Sequence, residues 1–337
     1  RIDSSIIAPL ERARIESEML VFHNKAAPGL SPEIYDYDKE MYAIVMEDLS
    51  DHIVLRKGLI KGVVYPRLAT DMGDFLALSL FHTSDLGMDP QEKKNSQRNF
   101  INPELCKITE DLVFSNPYFD ASNNKIDPEI RGRAELNWVD DELKCEVAVL
   151  KEKFMTQGQA LVHGDLHTGS VFVTPGSTKI FDPEFAFYGP IGFDVGAILG
   201  NLILNHVSQA WHMGDDAARA VYRRYLLDTF RGIWIGFSHK FRILWEAKVT
   251  TPMEINPVYK ENYMRRLFSD SIGYAGCKMT RRIVGLAQVE DIRSIPDAEV
   301  RAKVQVAALD IARKFIVDRN RFASVEDALH VVDEYPI

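Results

Sequence analysis

Residues 160–184 place acidic side chains directly after short apolar segments. Three segments have the length and composition of strands: Ala160–His163, Val171–Val173 and Lys179–Phe181. Pro175–Ser177 has the composition of a turn between the last two. Asp165 follows the first segment, and Asp182 and Glu184 follow the last. Burying unpaired carboxylates costs several kcal/mol, so these three must share a cation or face a cleft. The pattern predicts a polar site built on a small β element.

The spacing of these carboxylates is typical of phosphoryl transfer. Asp182 and Glu184 lie two residues apart, with Pro183 stiffening the backbone between them. Two hard oxygen ligands on one short segment suit Mg²⁺, which binds through one or two carboxylates and substrate phosphates. Asp165, beside Gly164, could accept a proton from a substrate hydroxyl. Phosphoryl transfer requires such a cation and an aligned nucleophile.

The rest of the chain predicts a small α/β segment followed by a largely helical region. Met41–Met46 is a short apolar run bounded by charge, which predicts a strand buried in a sheet. Apolar residues recur at helical spacing in four longer segments. These predicted helices are Leu10–His23, Asp71–Phe81, Asp141–Phe154 and Val300–Asp318.

Length, charge and cysteine content exclude several classes of protein. A chain of 337 residues is long enough for two lobes. A net charge of −9 argues against general nucleic-acid binding, which needs a basic surface. No run reaches the 18 to 20 apolar residues of a membrane span, and Arg1–Ser5 shows no secretory leader. Cys106, Cys145 and Cys277 form no C-x-x-C pair. We expect a cytoplasmic protein with neither membrane nor nucleic-acid partners and without structural zinc.

The acidic segment resembles the catalytic loop of a known kinase branch. His163–Ser170 has the sequence HGDLHTGS, and an acidic metal motif follows. This arrangement is similar to the aminoglycoside- and choline-kinase branch of the protein-kinase-like fold. Further segments resemble the 5-methylthioribose kinase family within that branch. They are RKGLIKG at Arg56–Gly62, NPELCKI at Asn102–Ile108, DPEFAFYGPIGFD at Asp182–Asp194 and KMTRRIVG at Lys278–Gly285.

The resemblance implies an α+β, bilobal protein-kinase-like fold. The glycine-rich loop and strand lysine of a kinase small lobe do not precede Glu16. The predicted N-terminal lobe is therefore truncated or partly absent. We assign residues 1–48 to a remnant of this ATP-covering lobe and the hinge. Residues 49–337 would form a mainly helical C-terminal lobe with the catalytic loop and substrate site.

The resemblance also implies roles for the acidic residues. Asp165 corresponds to the catalytic base, which also contacts the substrate. Asp182 and Glu184 correspond to a magnesium-binding D-x-E pair. Ser170 stands where related kinases have a metal-ligating asparagine, which suggests that Glu184 takes over part of the metal shell. We expect Ser170 to support the loop structurally.

The ATP-binding residues are implied by general kinase geometry. Met46–Leu49 corresponds to the hinge, where the Glu47 carbonyl and the Leu49 amide would bind the adenine edge. Glu16 corresponds to the helix glutamate that pairs with an ATP-orienting lysine, and Glu18 is the alternative.

Four further residues complete the predicted site. Arg281 and Arg282 correspond to twin arginines that contact the sugar hydroxyls near the transferred phosphate. Adjacent helical positions differ by about 100°, so one helix face cannot present both in the same way. We expect His163 to hold the loop by hydrogen bonds and Asp194 to cap backbone amides of the catalytic loop.

The function implied is ATP-dependent phosphorylation of 5-methylthioribose at its 1-hydroxyl, in methionine salvage. ATP is the co-substrate, Mg²⁺ is the cofactor, and the family implies a homodimer. One alternative is another alcohol kinase of the branch, acting on an aminoglycoside, choline or homoserine. The other is a nucleotide-binding pseudokinase that lacks the small-lobe lysine.

Overall fold

The structure, a computed structural model, describes residues 11–337. Within this range the chain forms thirteen α-helices and seven short strands. The helices are α1 (Glu11–Ala26), α2 (Leu55–Ile60), α3 (Leu68–His82), α4 (Pro90–Asn99), α5 (Pro103–Phe114), α6 (Arg131–Val139), α7 (Asp141–Thr156), α8 (Ile191–His212), α9 (Asp216–Lys248), α10 (Pro257–Val284), α11 (Glu290–Arg293), α12 (Ala298–Val317) and α13 (Val325–Asp333). The strands are β1 (Ile34–Asp38), β2 (Ala43–Met46), β3 (Ile53–Val54), β4 (Ala160–Val162), β5 (Val171–Thr174), β6 (Ser177–Ile180) and β7 (Phe187–Gly189).

Helix α8 lies at the centre of the helical region, packed against α9, α10 and α12. It has the length and hydropathy of a membrane span, yet 94% of its most apolar 18-residue window is buried in the protein. Gly196 and Gly200 allow α10 to approach closely, since a Cβ atom at Gly200 would lie 2.7 Å from the Ala275 carbonyl oxygen. This close packing fixes the position of the second half of α10.

The predicted β element is confirmed and forms two small sheets. Strands β5 and β6 form the expected antiparallel hairpin, and β3 pairs with the outer edge of β5. Strand β4 pairs antiparallel with β7. Residues 163–170 connect β4 to β5, while residues 181–186 connect β6 to β7. The two sheets therefore bring both acidic segments to neighbouring loops.

The prediction of a buried strand at Met41–Met46 is wrong. Strand β2 begins at Ala43 and pairs only with β1 among the described residues. Met41 is 76% exposed and Val45 is 53% exposed. An apolar run reports the tendency to form a strand, whereas its burial depends on whether other elements cover both faces of the sheet.

The four predicted helices are confirmed, with shifts at their ends. They correspond to α1, α3, α7 and α12; Leu10, the predicted first residue of α1, lies outside the described residues. Residues 1–10, which belong to the predicted small-lobe remnant and include the Arg1–Ser5 segment, also lie outside. The described part of that remnant consists of α1 and the β1–β2 hairpin. The division at residue 48 stays a prediction.

Candidate active site

One cavity of about 840 Å³ brings the two acidic segments together with the end of α10. Asp165, Asp182 and Glu184 line this cavity, as do Arg281 and Arg282. The carboxylates therefore face a common space, although Asp165 and Asp182 come from different connecting loops.

Asp194 holds the backbone of the catalytic loop. Its carboxylate accepts hydrogen bonds from the amides of His163 (2.6 Å) and Gly164 (3.0 Å). Gly164 has a φ of +84°, and a Cβ atom there would collide with the Phe185 carbonyl oxygen. His163 is buried, and its Nε2 donates to the Phe181 carbonyl at 2.9 Å. The loop before Asp165 is therefore fixed from both sides.

Ser170 and His167 form hydrogen bonds within the part of the loop that follows Asp165. The Ser170 hydroxyl donates to the Asp165 carbonyl at 3.0 Å. His167 Nδ1 accepts from the Gly169 amide at 3.0 Å, so its Nε2 is the protonated nitrogen of the neutral ring. That Nε2 lies 3.4 Å from Asp165 Oδ2.

Cationic side chains surround the Asp165 carboxylate. Lys278 Nζ lies 3.0 Å from Oδ1, and Arg282 Nη2 lies 3.7 Å from Oδ2. Burial raises the pKa of Asp165, but Lys278, His167, Arg282 and Arg281 together bring that pKa well below its usual range. Asp165 is thus a carboxylate at neutral pH, and its side chain keeps 23% of its surface exposed.

Asp182 and Glu184, which line the cavity, form a cluster of three carboxylates with Glu16. Oxygens of Glu16, Asp182 and Glu184 all lie within 4.8 Å of one another. Burial and repulsion by Glu184 raise the pKa of Asp182 to about 8 and that of Glu16 to about 7. Arg12 contacts Glu184 at 3.2 Å and offsets only part of this charge. The donor set fits a hard divalent cation, because oxygen ligands at this spacing repel each other unless a cation lies between them.

Comparisons with known proteins identify the family of this chain. Residues 4–232 match the model of the phosphotransferase enzyme family. The curated methylthioribose kinase of Geobacillus kaustophilus is 43% identical over 318 residues, which is 94% of this chain and 78% of the relative. The methylthioribose kinase of Citrobacter koseri is 41% identical over 327 residues, 97% of this chain and 82% of the relative.

The chain belongs to the phosphotransferase enzyme family and, within it, to the methylthioribose kinases. It is a phosphotransferase of the kinase type, with the predicted α+β, protein-kinase-like fold. Among solved structures, a glucosamine kinase is 12% identical with a TM-score of 0.49, covering 87% of this chain and 69% of its own.

The predicted hinge residues of this kinase contact residues other than those of the acidic cluster and the cationic cluster around Asp165. Of the described residues that line the cavity, none is Met46, Glu47 or Leu49. The Glu47 amide donates to the Glu33 carbonyl at 2.8 Å, and its carboxylate contacts Lys179 at 2.9 Å. Glu16, predicted to pair with a lysine, instead lies against carboxylates in the described part of the chain.

Sequence reasoning assigned no role to several charged residues of this kinase that line the cavity, among them Lys278, Arg56 and Arg12. Lys278 and Arg56 both lie within segments that carry the resemblance. Arg56 donates to Thr168 Oγ1 (3.2 Å) and contacts the buried Asp291 at 3.3 Å. Lys278 is the one charged residue of the otherwise uncharged segment Gly273–Thr280, which could have indicated a functional role for it. Its partner Asp165 is 113 residues away, a contact that spacing along the chain does not reveal.

Proposed function

We propose that this kinase transfers the γ-phosphoryl group of ATP to the 1-hydroxyl of 5-methylthioribose. The observation that carries the proposal is the shared cavity, in which Asp165 lies among cations while Asp182 and Glu184 lie among carboxylates. Relatives named methylthioribose kinase, 39–43% identical to this chain, support the choice of acceptor.

Asp165 is the residue that meets the acceptor hydroxyl. The sugar oxygen attacks the γ-phosphorus, the bond to the β,γ-bridging oxygen breaks, and ADP leaves with that electron pair. Asp165 takes the hydroxyl proton. Because its pKa is low, Asp165 orients the hydroxyl in the ground state and accepts the proton late, which suits the loose transition state of phosphoryl transfer.

Arg281 and Arg282 are the donors for the acceptor and the moving phosphoryl group. Arg281 Nε and Nη1, and Arg282 Nε, are buried and have no hydrogen-bond partner among the described residues. A buried donor without a partner costs free energy, which a ligand oxygen would recover. Guanidinium groups suit this task because their planar donors match hydroxyl and phosphate oxygens.

Asp182 and Glu184 are the residues that would hold Mg²⁺, with Glu16 beside them. When bound, the ion neutralises charge on the β- and γ-phosphates of ATP. His163, Ser170 and Asp194 hold the loop that carries Asp165, through the hydrogen bonds described above.

The remaining assignments complete the proposal. Residues 1–48 contribute to the ATP-covering lobe and the hinge, and residues 49–337 form the helical lobe. Met46, Glu47 and Leu49 form the adenine-binding hinge. We place the enzyme in the cytoplasm, as a homodimer serving methionine salvage. Its three cysteines, all free, agree with a reducing compartment.

Charge around Asp165 favours a neutral acceptor over the cationic alternatives. Lys278, Arg281 and Arg282 surround the carboxylate that would otherwise attract an aminoglycoside or choline. A phosphorylation panel of methylthioribose, choline, homoserine and an aminoglycoside tests this directly. Turnover of choline or an aminoglycoside, but not of methylthioribose, would refute the proposed acceptor.

Steady-state turnover of Asp165→Asn tests the proposed base. The amide keeps the size of the side chain but cannot accept the proton, so we expect kcat to fall by roughly two to four decades. ATP binding should persist, as measured by the increase in thermal stability on adding an ATP analogue with Mg²⁺. A variant with near wild-type kcat would show that Asp165 is not the base.

A further inference from the structure

Lys278 is a buried cation whose position depends on the first turn of α8. Its side chain is only 4% exposed, and Nζ lies 4.3 Å from the centre of the Phe193 ring. Burying an ammonium group costs several kcal/mol unless partners compensate it. Here the partners are the Asp165 carboxylate and the face of an aromatic ring, a favourable arrangement for a desolvated cation.

The two oxygens of Asp165 differ in how closely cations hold them. Lys278 Nζ lies 3.0 Å from Oδ1, within hydrogen-bond distance. His167 and Arg282 lie 3.4 Å and 3.7 Å from Oδ2. Oδ1 is therefore committed to Lys278, whereas Oδ2 keeps the capacity to accept a short hydrogen bond from a ligand.

Adjacent residues of α8 hold the backbone and the side chain of the loop. Asp194 accepts from the amides before Asp165, and its neighbour Phe193, fully buried, lies against the Lys278 ammonium. Gly196, on the next turn, allows α10 to lie close enough for Lys278 to reach Asp165. The same stretch of α8 thus orients the catalytic loop and the lysine that contacts it.

We propose that Lys278 is a positioning residue for Asp165, which holds Oδ1 so that Oδ2 meets the acceptor hydroxyl. This inference rests on the proposed function only in requiring that Asp165 contacts an acceptor alcohol. Lys278 itself acts through the carboxylate and does not touch the reacting atoms.

Lys278→Met removes the charge while filling similar space. A misplacement of the base by about 1 Å can cost about 10²-fold in rate, so we expect a loss in kcat of about that size. KM for the acceptor should change little, because Lys278 is held by Asp165 and Phe193. Lys278→Gln, which keeps a donor without charge, is made in parallel and replaces the methionine variant in the assay if that variant is unfolded.

A pH–rate profile separates positioning from a merely structural role. Loss of the nearest cation raises the pKa of Asp165, so the acid limb of kcat should move to higher pH in the variant. His167, Arg281 and Arg282 still face the carboxylate, and Asp182 and Glu184 stay across the cavity in both proteins. Since those groups are common to wild type and variant, the difference between the profiles reports on Lys278.

Chemical rescue and a matched control complete the experiment. Ethylammonium added to Lys278→Ala should restore part of kcat by occupying the vacated space beside Phe193. Lys153→Met removes a comparable ion pair, since Lys153 contacts Asp270 of α10 at 2.6 Å outside the cavity. We expect this control to lower thermal stability without changing kcat or its acid limb.

The assay uses whichever alcohol of the panel the wild-type enzyme phosphorylates. If the wild-type enzyme phosphorylates another alcohol of the panel but not methylthioribose, the proposed acceptor is refuted. The kcat values of the Lys278 variants are then compared with that other alcohol as substrate. The positioning role is supported by a loss in kcat with a shifted acid limb and amine rescue. Wild-type kcat in a folded variant, or a loss without either the shift or the rescue, would overturn it.

Discussion

Asp165 and Asp182 face the same cavity, but their surroundings are opposite. Lysine and arginine side chains lower the pKa of Asp165 well below its usual range, whereas burial and neighbouring carboxylates raise that of Asp182 to about 8. We call the first group, Asp165 with His167, Lys278, Arg281 and Arg282, the cationic half. The second, Glu16 with Asp182 and Glu184, is the acidic half.

The difference shows which charges the described chain supplies and which must come with the ligands. In the cationic half, positive side chains outnumber the single carboxylate, so an anion is favoured there. In the acidic half, Arg12 is the one cationic side chain of residues 11–337 that contacts any of the three carboxylates, so a cation is favoured. In phosphoryl transfer from magnesium-bound ATP, the metal ion would lie beside the acidic half. The negatively charged phosphoryl group would meet the acceptor hydroxyl beside the cationic half.

Asp182→Asn tests the acidic half and should have the largest effect. Asp182 has a φ of 65°, a left-handed conformation that asparagine also adopts, so the backbone should be retained. The amide loses the charge that favours Mg²⁺. Because metal ions contribute several kcal/mol to such reactions, we expect kcat/KM for ATP to fall by about 10³-fold at fixed Mg²⁺.

Magnesium titration of the same variant identifies the cause. The Mg²⁺ concentration that gives half-maximal activity should rise in Asp182→Asn. Asp270→Asn alters a buried aspartate that is paired with Lys153 outside the cavity, and it should leave that concentration unchanged. An unaltered Mg²⁺ dependence in Asp182→Asn would remove Asp182 from the metal site.

Arg282→Met tests the cationic half and should have a smaller effect. Losing one preorganised donor at the transferring group should lower kcat by about 10²-fold. Lys278 and His167 still contact Asp165 in this variant. Arg282→Lys should recover part of the loss in kcat, because it restores the charge without the planar donor geometry.

A half-buried arginine elsewhere provides the control for Arg282. Arg223 donates to the carbonyls of His206 and Ile337 and lines a different cavity. Arg223→Met should change stability but not kcat. If Arg282→Met has wild-type kcat while binding both substrates, the cationic half does not act on the transferred group.

Sequence reasoning predicted a carboxylate base in one half and a metal-binding pair in the other. It did not predict the residues from distant elements that contact them. Asp182 and Glu184 are two residues apart on one loop, so their convergence follows from local spacing. The motif around Asp165 predicted a base by resemblance, and this residue lines the cavity. Both inferences depend on residues that are close in sequence.

Contacts between elements that are distant in sequence could not be predicted from the spacing of residues along the chain. Lys278 reaches Asp165 because Gly196 and Gly200 let α10 pack closely on α8, which is a property of the tertiary structure. The failed prediction at Met41–Met46 has the same origin, since burial of β2 depends on what packs against it. Composition and periodicity describe segments, whereas a site is defined by their packing.

The acidic half also predicts how stability depends on pH, and this effect should be smaller than the losses in activity. In the metal-free protein the pKa of Glu16 is about 7 and that of Asp182 about 8, whereas both groups in the unfolded chain ionise near pH 4. Between these values the folded state holds protons that the unfolded state has released. The contribution of these two groups to metal-free stability should therefore decrease as pH rises from about 4 to about 8, and level off above that range.

Glu16→Gln isolates this contribution from the rest of the molecule. Removing one of three mutually repelling carboxylates should raise the metal-free melting temperature by roughly 2–4 °C at pH 8 and reduce its decline with pH. Glu18→Gln is the matched control, because Glu18 lies on the same helix but is exposed and paired with Arg14 at 2.7 Å. Mg²⁺ binds deprotonated carboxylates, so its stabilisation of the wild type should increase with pH. An equal decline of the metal-free melting temperature with pH in wild type and Glu16→Gln would contradict the uncompensated charge assigned to the acidic half.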